Sequence, residues 1–297
     1  MRTLCLGEAL VDLVCERPVA GVGDAGAFVP HPGGAAANVC VVAARHGGRV
    51  ALAGGAGDDT WGRWLRERLR VEGVGLDWFV LVEGAPTAVA FVTVDAAGEP
   101  GYLVYGAGMH AAVEAAAKRL PAAVEACDAL ALTSNTLVEE GERAATLAAR
   151  ERALELGRPV VFDANLRLHR WPHPGRAATV ARECVPGAFL VKCNREEAER
   201  LSGESDPDRA AAGLLAAGAR NVVVTLGAGG AILRGELRAD VPGAAAQVVD
   251  ASGAGDALLG VLIARLGQSR YYTPTLAAAL PDGVREAART TERWGAV

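Results

Sequence analysis

The sequence lacks several features that would place it in other classes of protein. No uninterrupted apolar run reaches the roughly 18 to 20 residues of a membrane-spanning helix. The first residues lack the apolar core and the small-residue cleavage pattern of a signal peptide. A CxxC pair is absent, and the cysteines are not grouped with histidines, which argues against a zinc site and a disulfide framework. We therefore expect a cytoplasmic protein with buried free thiols and no membrane partner.

Lysine is also scarce. Lysine occurs only at Lys118 and Lys192, and the formal net charge is -5 at pH 7. Proteins that bind nucleic acid normally carry a basic face, so nucleic acid is not an expected partner. Neither lysine follows a glycine, which excludes a GxxxxGK[ST] phosphate loop, and the signature set of protein kinases is missing too.

Short apolar runs recur along the chain, separated by stretches long enough for crossover helices. Runs of this length suit strands that are buried on both faces of a parallel sheet. They occupy residues 3–6, 50–53, 129–133, 159–163, 188–192 and 221–226. The pattern predicts an α/β protein with a doubly wound, mostly parallel sheet, and we expect residues 1–297 to form one domain.

Two N-terminal stretches have a different pattern. Residues 87–95 and 101–105 are rich in β-formers and flank a short turn that contains Gly98, which predicts a hairpin. Residues 10–32 could add another strand or two, interrupted by glycines. We expect a small sheet outside the main one, built from about residues 10–32 and 84–108.

The strongest chemical signal is the segment Gly253-Ala254-Gly255-Asp256, which opens an apolar helical run. Small residues at a helix N-terminus leave backbone N–H groups free, and the helix dipole favours an anion there. A phosphate fits this position, and Asp256 in the first helical turn could accept a proton from an incoming hydroxyl. The alternative is a plain turn in which Asp256 only caps the helix.

A second group of residues, near the N-terminus, suits a polar ligand. Gly33 and Gly34 lead into a helical run that contains Asn38. Glycines let a ligand approach the backbone, and the Asn38 amide offers one donor and one acceptor to a pair of polyol hydroxyls. Asp12, after the first predicted strand, could add a carboxylate acceptor. The other interpretation is a turn at the glycines and a surface position for Asn38.

A third group alternates at the end of a predicted strand. Asp163, Asn165 and Arg167 are two positions apart, and in an extended chain that spacing points all three side chains the same way. Open α/β sheets bind ligands at this end of their strands, and Arg167 could steady a phosphate charge. Plain solubility at a strand end would give the same pattern.

Asn194 and Glu197 form a fourth group, where another predicted strand passes into a helix. They are three positions apart and so share a helical face. The pair could hold hydrated Mg²⁺, which favours few carboxylates and several waters. An asparagine N-cap with a glutamate three positions on looks the same, and the two roles are compatible.

Together these segments resemble the ribokinase-like (PfkB) carbohydrate kinase family, and its fructokinase branch most of all. The similar strings run in the family's order across nearly the whole chain: GEALVDL at 7–13, PGGAAANVCVVAARHGG at 32–48, GAGDDTWG at 55–62, PTAVAFVTVDAAGE at 86–99, FDANLRLHRW at 162–171, KCNREEAERLSG at 192–203, VVTLGAGGA at 223–231 and VVDASGAGDALLG at 248–260. The resemblance implies a kinase that uses ATP and Mg²⁺ to phosphorylate a hydroxyl of a free sugar, such as fructose or a related ketose or sugar acid.

The resemblance also implies roles for individual residues. Asp256 would be the catalytic base, and the anion hole would be formed by Gly253, Ala254 and Gly255. The sugar would be faced by Asp12, Gly33, Gly34, Asn38 and Asn165. The nucleotide site would be lined by Thr225, Gly227 and Gly230, with Arg167 and Asn194 near its phosphates. Asn194 and Glu197 would hold Mg²⁺ through water, and Asp250 with Ser252 matches a monovalent-cation position, which makes K⁺ a candidate cofactor. The small sheet would be a lid over the sugar and the contact of a homodimer.

Two departures from the family pattern bear on these expectations. The usual Thr-Thr before the anion hole is Ala251-Ser252 here, so one hydroxyl is lost and activation by K⁺ is less expected. After the hairpin, relatives often carry an arginine and a Ser-Ala-Asp string, whereas this chain continues with Tyr105 and Gly106. We therefore expect a substrate-contacting cation to be missing, which weakens the prediction of fructose.

Two other functions remain open at this stage. A nucleoside kinase of the same fold would need an apolar, aromatic-lined pocket for its substrate. A non-catalytic sugar-binding relative would have no need of Asp256 beside Gly253 and Gly255.

Overall fold

The computed structural model describes residues 1–297, apart from the side chains of residues 107 and 108. Its strands are β1 (Arg2–Leu6), β2 (Leu10–Pro18), β3 (Val29–Gly33), β4 (Arg49–Gly57), β5 (Phe79–Val82), β6 (Val89–Val94), β7 (Pro100–Tyr105), β8 (Ala129–Thr133), β9 (Val160–Asp163), β10 (Leu190–Asn194), β11 (Asn221–Thr225), β12 (Ala231–Gly235) and β13 (Ala239–Val241). Its α-helices are α1 (Ala35–Arg45), α2 (Thr60–Val71), α3 (Ala107–Ala117), α4 (Leu120–Ala126), α5 (Glu140–Glu155), α6 (Pro174–Arg182), α7 (Arg195–Ser202), α8 (Pro207–Ala216), α9 (Ala254–Gln268) and α10 (Pro274–Thr290). Short 3-10 helices occupy Val22–Asp24, Ser134–Leu137, Leu168–Arg170 and Gly227–Gly229.

The large sheet has nine strands in the order β13-β12-β11-β10-β9-β8-β1-β4-β5. The pairings from β11 through to β5 are parallel, and β12 and β13 extend one edge in antiparallel fashion. The predicted doubly wound, mostly parallel sheet is therefore confirmed. Because β1 lies between β4 and β8, the strand order reverses there, and ligands of open α/β sheets bind beside such a reversal.

Helices cover both faces of this sheet and bury two separate cores. Alternate residues of one strand face opposite ways, so Leu4 and Leu6 of β1 pack in one core while Cys5 packs in the other. The first core is closed by residues of α3 to α8, and the second by residues of α1, α2, α9 and α10. Burial on both faces is the reason that the strands are continuous apolar runs in the sequence.

The small sheet has four strands in the order β3-β2-β6-β7. β2 pairs with β3 antiparallel and with β6 parallel, and β6 and β7 form the predicted hairpin. One face buries the cluster Leu10, Val14, Ala88, Ala90, Val92, Val94 and Met109, with Trp294 packed against it. This sheet, which we call the lid, stands outside the main sheet as expected.

The structure bears on the expectations about membrane-spanning helices and about the state of the cysteines. Within the described chain, no helix is both long enough and apolar enough to cross a membrane. All six cysteines are buried and free. The expected buried free thiols are confirmed.

Candidate active site

The N-terminus of α9 is shaped by a glycine in the left-handed region. Gly253 has φ 73° at the N-cap, and a Cβ there would lie 2.4 Å from Cβ and 2.8 Å from Cα of Ala296. Backbone conformation and space therefore both require glycine. Asp256 lies in the first turn of the helix, where the first N–H groups have no partner inside the helix.

Two cavities meet at this helix start. The lid cavity, of about 70 Å³, lies under the small sheet and is lined by residues that include Glu8, Asp12, Asn38, Tyr102, Gly253 and Asp256. The α10 cavity, of about 620 Å³, is lined by residues that include Thr225, Gly227, Gly230, Ala254, Gly255 and Ala287. Gly253 and Asp256 thus face one cavity, and Ala254 and Gly255 face the other.

The carboxylate of Asp256 is buried and held by an amide. Its Oδ2 accepts a hydrogen bond from Nδ2 of Asn38 at 2.9 Å, and its side chain is part of the lid-cavity wall. Burial raises the pKa of Asp256, while Lys192, Asn38 and Arg167 act in the opposite direction. A carboxylate with a raised pKa is a better proton acceptor near neutral pH.

A buried ion pair supports the same helix start. Nζ of Lys192 on β10 donates to Oδ1 of Asp163 at the end of β9, at 3.0 Å. Burial alone would lower the pKa of Lys192, but the negative charges of Asp163, Glu197 and Asp256 raise it above its usual value. A Cβ on Gly255 would lie 2.7 Å from this Nζ, so glycine leaves room for the ammonium group against α9.

Asn194 and Glu197 form a complete capping box at the start of α7. Asn194 Oδ1 accepts from the N–H of Glu197, and Glu197 Oε2 accepts from the N–H of Asn194, both at 2.8 Å. Glu197 Oε1 accepts from the N–H of Leu166 at 2.8 Å, which ties the β10–α7 junction to the loop after β9. Burial raises the pKa of Glu197, and Lys192 opposes that shift. The capping interpretation is confirmed, and it does not exclude metal binding.

The loop after β9 contradicts the predicted extended run from Asp163 to Arg167. β9 ends at Asp163, and Asn165 has φ 34°, a left-handed conformation that breaks the two-residue alternation. Asn165 is buried, and its carbonyl accepts from Oγ of Ser134 at 3.1 Å. The three side chains therefore do not point one way because of strand geometry, and Asn165 is not among the residues that line the lid cavity.

Arg167 lies beneath the lid. Its guanidinium carbon is 5.4 Å from the centre of the Tyr102 ring on β7, a cation–π distance. It lines the lid cavity together with His169 and Arg170. The position after the hairpin carries no cation, and whether a cation contacts the substrate stays a prediction; the loop after β9 does bring Arg167 and Arg170 to the cavity wall from another part of the chain.

The glycines before α1 are required by their neighbours. A Cβ on Gly33 would lie 2.2 Å from Oδ2 of Asp12, and one on Gly34, which has φ 100°, would lie 2.5 Å from the carbonyl oxygen of Glu8. Glycine at these positions therefore makes room for the Asp12 carboxylate and the β1–β2 connection. Burial raises the pKa of Asp12 to about 7; Asp250, Asp256 and Glu8 add to the shift, and Arg167 opposes it.

Asp250 and Ser252 shape the segment before α9. Asp250 is fully buried; its Oδ1 accepts from the N–H of Ser252 at 2.8 Å and its Oδ2 from the N–H of Gly295 at 3.0 Å. Oγ of Ser252 lies 3.1 Å from the hydroxyl of Tyr102 on the lid. Each Asp250 oxygen thus already accepts one backbone N–H, which ties the helix start to the chain around Gly295.

The α10 cavity is walled by small residues from several segments. Gly230 has φ 92°, and a Cβ there would lie 2.0 Å from the carbonyl oxygen of Val241. Thr225 at the end of β11 and Gly227 line the same cavity. The lid reaches it as well, because Ala97 and Glu99 of the β6–β7 turn line its edge. Small side chains leave the backbone accessible here to a large ligand.

Some residues at the site were not given a role from the sequence. Lys192 opens the string KCNREEAERLSG, Glu8 lies in GEALVDL, and Tyr102 lies in the hairpin, so all three were visible but unassigned. Asn135 on the lid-cavity wall had no signal of its own, because it reaches Glu8 across 127 positions of sequence.

Comparisons with known proteins of similar sequence and structure all point to kinases of one family. The model of the "pfkB family carbohydrate kinase" matches residues 2–296. The chain is 36% identical over 264 residues to fructokinase-1 of Oryza sativa subsp. japonica, covering 88% of this chain and 82% of that protein. Two solved structures are similar over nearly their whole length. One is a fructokinase double mutant from Vibrio cholerae O395 in fructose-, ADP- and potassium-bound form, with a TM-score of 0.86 and 29% identity over 99% of this chain and 93% of that chain. The other is aminoimidazole riboside kinase from Salmonella enterica with aminoimidazole riboside and an ATP analog, with a TM-score of 0.84 and 28% identity over 100% of this chain and 95% of that chain.

Proposed function

Because this chain belongs to the pfkB family of ATP-dependent carbohydrate kinases, we propose that it phosphorylates a hydroxyl of fructose or of a related ketose or sugar acid, with Asp256 as the general base. The observation that carries the proposal is the position of α9. Its N-terminus separates a small cavity with a mixed polar and apolar wall from a large cavity walled mainly by small residues, and it presents Asp256 to the first and Gly255 to the second.

In the proposed reaction the sugar occupies the lid cavity and the triphosphate extends from the α10 cavity toward α9. Asp256 takes the proton of the attacking hydroxyl as the new oxygen–phosphorus bond forms and the bond between the β- and γ-phosphates breaks, which leaves ADP. Asn38, which donates to Oδ2 of Asp256, holds the carboxylate in place. The free N–H groups at the start of α9 stabilise negative charge on the phosphoryl group.

Two cations, the buried Lys192 and the half-buried Arg167, complete the electrostatics of the proposed site. Lys192 lies beside Gly255 and is paired with Asp163, so the ammonium end of a compensated ion pair lies against the helix start. Arg167 lies on the other side, under Tyr102. In phosphoryl transfer, side chains act mainly by positioning the reactants and by stabilising the negative charge electrostatically. Two cations held in place by their neighbours suit that role.

The residues at the β10–α7 junction fit Mg²⁺ held through water. In the described part of the chain no cluster of three or more His, Cys, Asp or Glu is arranged to hold a metal directly. Mg²⁺ commonly keeps several waters and binds through few carboxylates plus substrate phosphates. Glu197, fixed by two backbone N–H groups, keeps lone pairs to accept from such waters, and Asn194 lies beside it. When bound, Mg²⁺ would neutralise phosphate charge.

Potassium enters the proposal as a candidate activator only. The matching positions are Asp250 and Ser252, and one hydroxyl of the family pattern is lost at Ala251. Asp250 already accepts two backbone N–H groups, so it stabilises the loop before α9 without a cation. Rates measured in K⁺ and in tetramethylammonium at equal ionic strength decide whether the site responds to K⁺.

A nucleoside kinase is the second candidate, favoured by the likeness to aminoimidazole riboside kinase. The lid cavity argues for a free sugar instead. Its wall carries Glu8, Asp12 and Asn38, and its aromatic contribution comes from Tyr102, which already stacks on Arg167. Leu10, Val104 and Met109 add apolar surface to this wall, but its small volume of about 70 Å³ leaves little room for a nucleobase beside the sugar.

We also propose a homodimer formed through the outer face of the lid. Phe28, Phe91 and Tyr105 form an edge-to-face series on it, with ring centres 5.0 Å and 6.0 Å apart. Leu103 is 44% exposed and Tyr105 62% exposed on the same sheet. An apolar sheet face with free edges is prone to non-specific association, and a second copy would cover it.

The buried free thiols suit a reducing compartment, and we propose that the protein is cytoplasmic.

The test is a substrate panel with ATP and Mg²⁺, scored by ADP release above the rate without acceptor. The panel contains fructose, other ketoses, aldoses, sugar acids and nucleosides. We expect the largest stimulation from a ketose or a sugar acid. Stimulation by nucleosides alone would select the second candidate, and a purified, folded protein that releases ADP with none of these would contradict the proposed function.

A further inference from the structure

Glu8 is a buried glutamate of the lid cavity whose two oxygens differ in their surroundings. It follows β1 in the connection to β2 and is 4% exposed. Its Oε1 accepts from the N–H of Ala35 at 3.2 Å and from Nδ2 of Asn135 at 3.1 Å. Its Oε2 has no hydrogen-bond partner among the described residues, although the side chain lines the cavity.

A buried carboxylate oxygen without a partner is costly in the free protein. Leaving such a group unpaired costs about 1 to 3 kcal/mol, and more when the group is charged. A ligand that donates a hydrogen bond to Glu8 Oε2 removes that cost. A ligand that places an apolar group there leaves it in full.

The neighbouring groups on the cavity wall are also acceptors. Oδ1 of Asn38 also lacks a partner among the described residues, while Nδ2 of the same amide donates to Asp256. The carboxylate of Asp12 lines the cavity as well. Several residues with acceptor atoms thus lie on the wall of one small cavity, beside the cations Arg167 and Arg170, and a ligand with several hydroxyl donors would satisfy these acceptors.

We infer that Glu8, held in place by Asn135 and the N–H of Ala35, is a specificity-determining residue that accepts a hydrogen bond from one non-reacting hydroxyl of the sugar. This inference rests on the proposed function and deepens it. Glu8 selects polyols that carry a hydroxyl at that position and rejects their deoxy analogues. It is distinct from Asp256, which serves the reacting hydroxyl.

The size of the selection follows from the hydrogen-bond cost. A penalty of 1 to 3 kcal/mol for the unpaired acceptor corresponds to roughly 5- to 150-fold in affinity. Sites built to hydrogen-bond a substrate hydroxyl discriminate strongly against the analogue that lacks it. We therefore expect one monodeoxy analogue of the preferred sugar to bind about 10- to 100-fold more weakly than the parent.

The experiment measures binding of the preferred sugar and each of its monodeoxy analogues by titration calorimetry, for the wild type and for Glu8→Gln. Glutamine keeps one oxygen for Ala35 and Asn135 and turns the unpartnered Oε2 position from an acceptor into a donor. We expect Glu8→Gln to weaken the parent sugar about 10- to 100-fold while changing the affinity of one deoxy analogue by less than about threefold. The KM for ATP stays within about twofold of wild type, because Glu8 does not line the α10 cavity.

Two further variants separate positioning from general damage. Asn135→Ala removes one of the two donors that hold Glu8, so we expect it to raise the KM for the sugar by several-fold with little change in kcat. Glu142→Gln is the matched control, since Glu142 is also a buried glutamate but contacts His110 away from the lid cavity. It should leave the pattern of sugar and deoxy-sugar affinities unchanged.

Several results would overturn the inference. One is a wild type that binds every monodeoxy analogue within about twofold of the parent, a test that needs no variant. Another is Glu8→Gln weakening the parent and all analogues equally, which would make Glu8 a structural residue only. A protein that phosphorylates and binds a sugar yet fails these tests contradicts the role of Glu8 alone. A protein that binds no polyol contradicts the proposed function and, with it, this inference.

Discussion

The starts of α7 and α9, at the carboxyl end of the large sheet and here called the sheet edge, differ from the lid in how their charged groups are held. At the sheet edge, both oxygens of Glu197 and both of Asp250 accept backbone N–H groups, and Lys192 pairs with Asp163. On the lid, Asp12 carries a pKa raised to about 7, chiefly by burial. The outer face of the lid leaves Leu103 and Tyr105 exposed.

The difference indicates that the sheet edge is preorganised for the reaction and that the lid is not. Groups held by backbone hydrogen bonds do not reorganise during a reaction, and such preorganisation is the main source of electrostatic catalysis. In its proposed roles of covering the sugar and pairing with a second copy, the lid would gain its final contacts only on substrate binding and association. We therefore expect changes at the sheet edge to act on turnover and on Mg²⁺, and changes on the lid to act on binding and association.

The largest effect is expected at the helix start that the sheet edge supports. Asp256→Asn should lower kcat by roughly 10² to 10⁴, the usual range for loss of a general base. ATP affinity should change little, because Asp256 lines the lid cavity and not the α10 cavity. Steady-state kinetics and ATP titration check this, with Asp58→Asn, an exposed carboxylate paired with Arg63, as the control. Near-normal turnover of a folded Asp256→Asn protein would remove the residue from the chemistry.

The second prediction concerns the outer face of the lid. Phe91 lies between Phe28 and Tyr105, so Phe91→Asp places a charge in the middle of the proposed interface. We expect self-association to weaken by about 30-fold, the effect of losing one central interface residue, and the KM for the sugar to rise. Light scattering over a range of protein concentrations measures the first effect, and kinetics the second.

The control for that experiment is an exposed apolar residue outside the lid. Val71 at the end of α2 is 67% exposed, so Val71→Asp makes the same kind of change elsewhere on the surface. It should leave association and sugar KM unaltered. A wild type that stays monomeric at every concentration would reject the dimer outright and confine the lid to covering the sugar.

The third prediction returns to the sheet edge. Glu197→Gln replaces a carboxylate by a neutral amide, which holds the water shell of Mg²⁺ less strongly. We expect the Mg²⁺ concentration for half-maximal rate to rise about tenfold, the scale for residues that act on a metal through intervening groups. Because one oxygen that accepts from Leu166 or Asn194 is also lost, the Tm should fall.

The neighbouring glutamate gives a matched comparison for this change. Glu196 is exposed and pairs with Arg200 on the same helix. Glu196→Gln should therefore leave both the Mg²⁺ titration and the Tm close to wild type. A Glu197→Gln protein with a lower Tm but an unchanged Mg²⁺ titration would restrict Glu197 to its capping role.

The sequence predicted much of the fold because its patterns are local. Continuous apolar runs mark strands buried on both faces, and the alternation in residues 89–94 marks a lid strand with two different faces. The capping box at Asn194 was also visible, since its two partners are three positions apart. Each of these features depends on neighbours within a few residues.

The errors and omissions come from contacts between distant segments. Nothing near Asp163 in the sequence shows that its chain turns left-handed at Asn165, or that Lys192 neutralises it from the next strand. The contact of Glu8 with Asn135 likewise exists only because β1 and β8 are adjacent. The strand order determines which side chains meet at the sheet edge. Local sequence patterns carry no information about that order.

The last prediction concerns Asp12 on the lid, and it acts on stability and not on turnover. The pKa of Asp12 is about 7 in the folded protein against an ordinary value of 3.8, so between these values the folded state holds a proton that the unfolded state has released. Stability contributed by this group therefore falls as pH rises from about 4 to about 7, by at most about 1.4 kcal/mol per pH unit. That slope corresponds to roughly 2 to 4 °C in Tm per pH unit for a chain of this size. Asp12→Asn should remove this part of the pH dependence, and Asp24→Asn, an exposed lid carboxylate, should keep it. Identical Tm curves for the wild type and Asp12→Asn between pH 4 and 7 would show that the Asp12 carboxyl does not titrate in this range on folding, and the contrast between the two regions would then rest on the outer face of the lid alone.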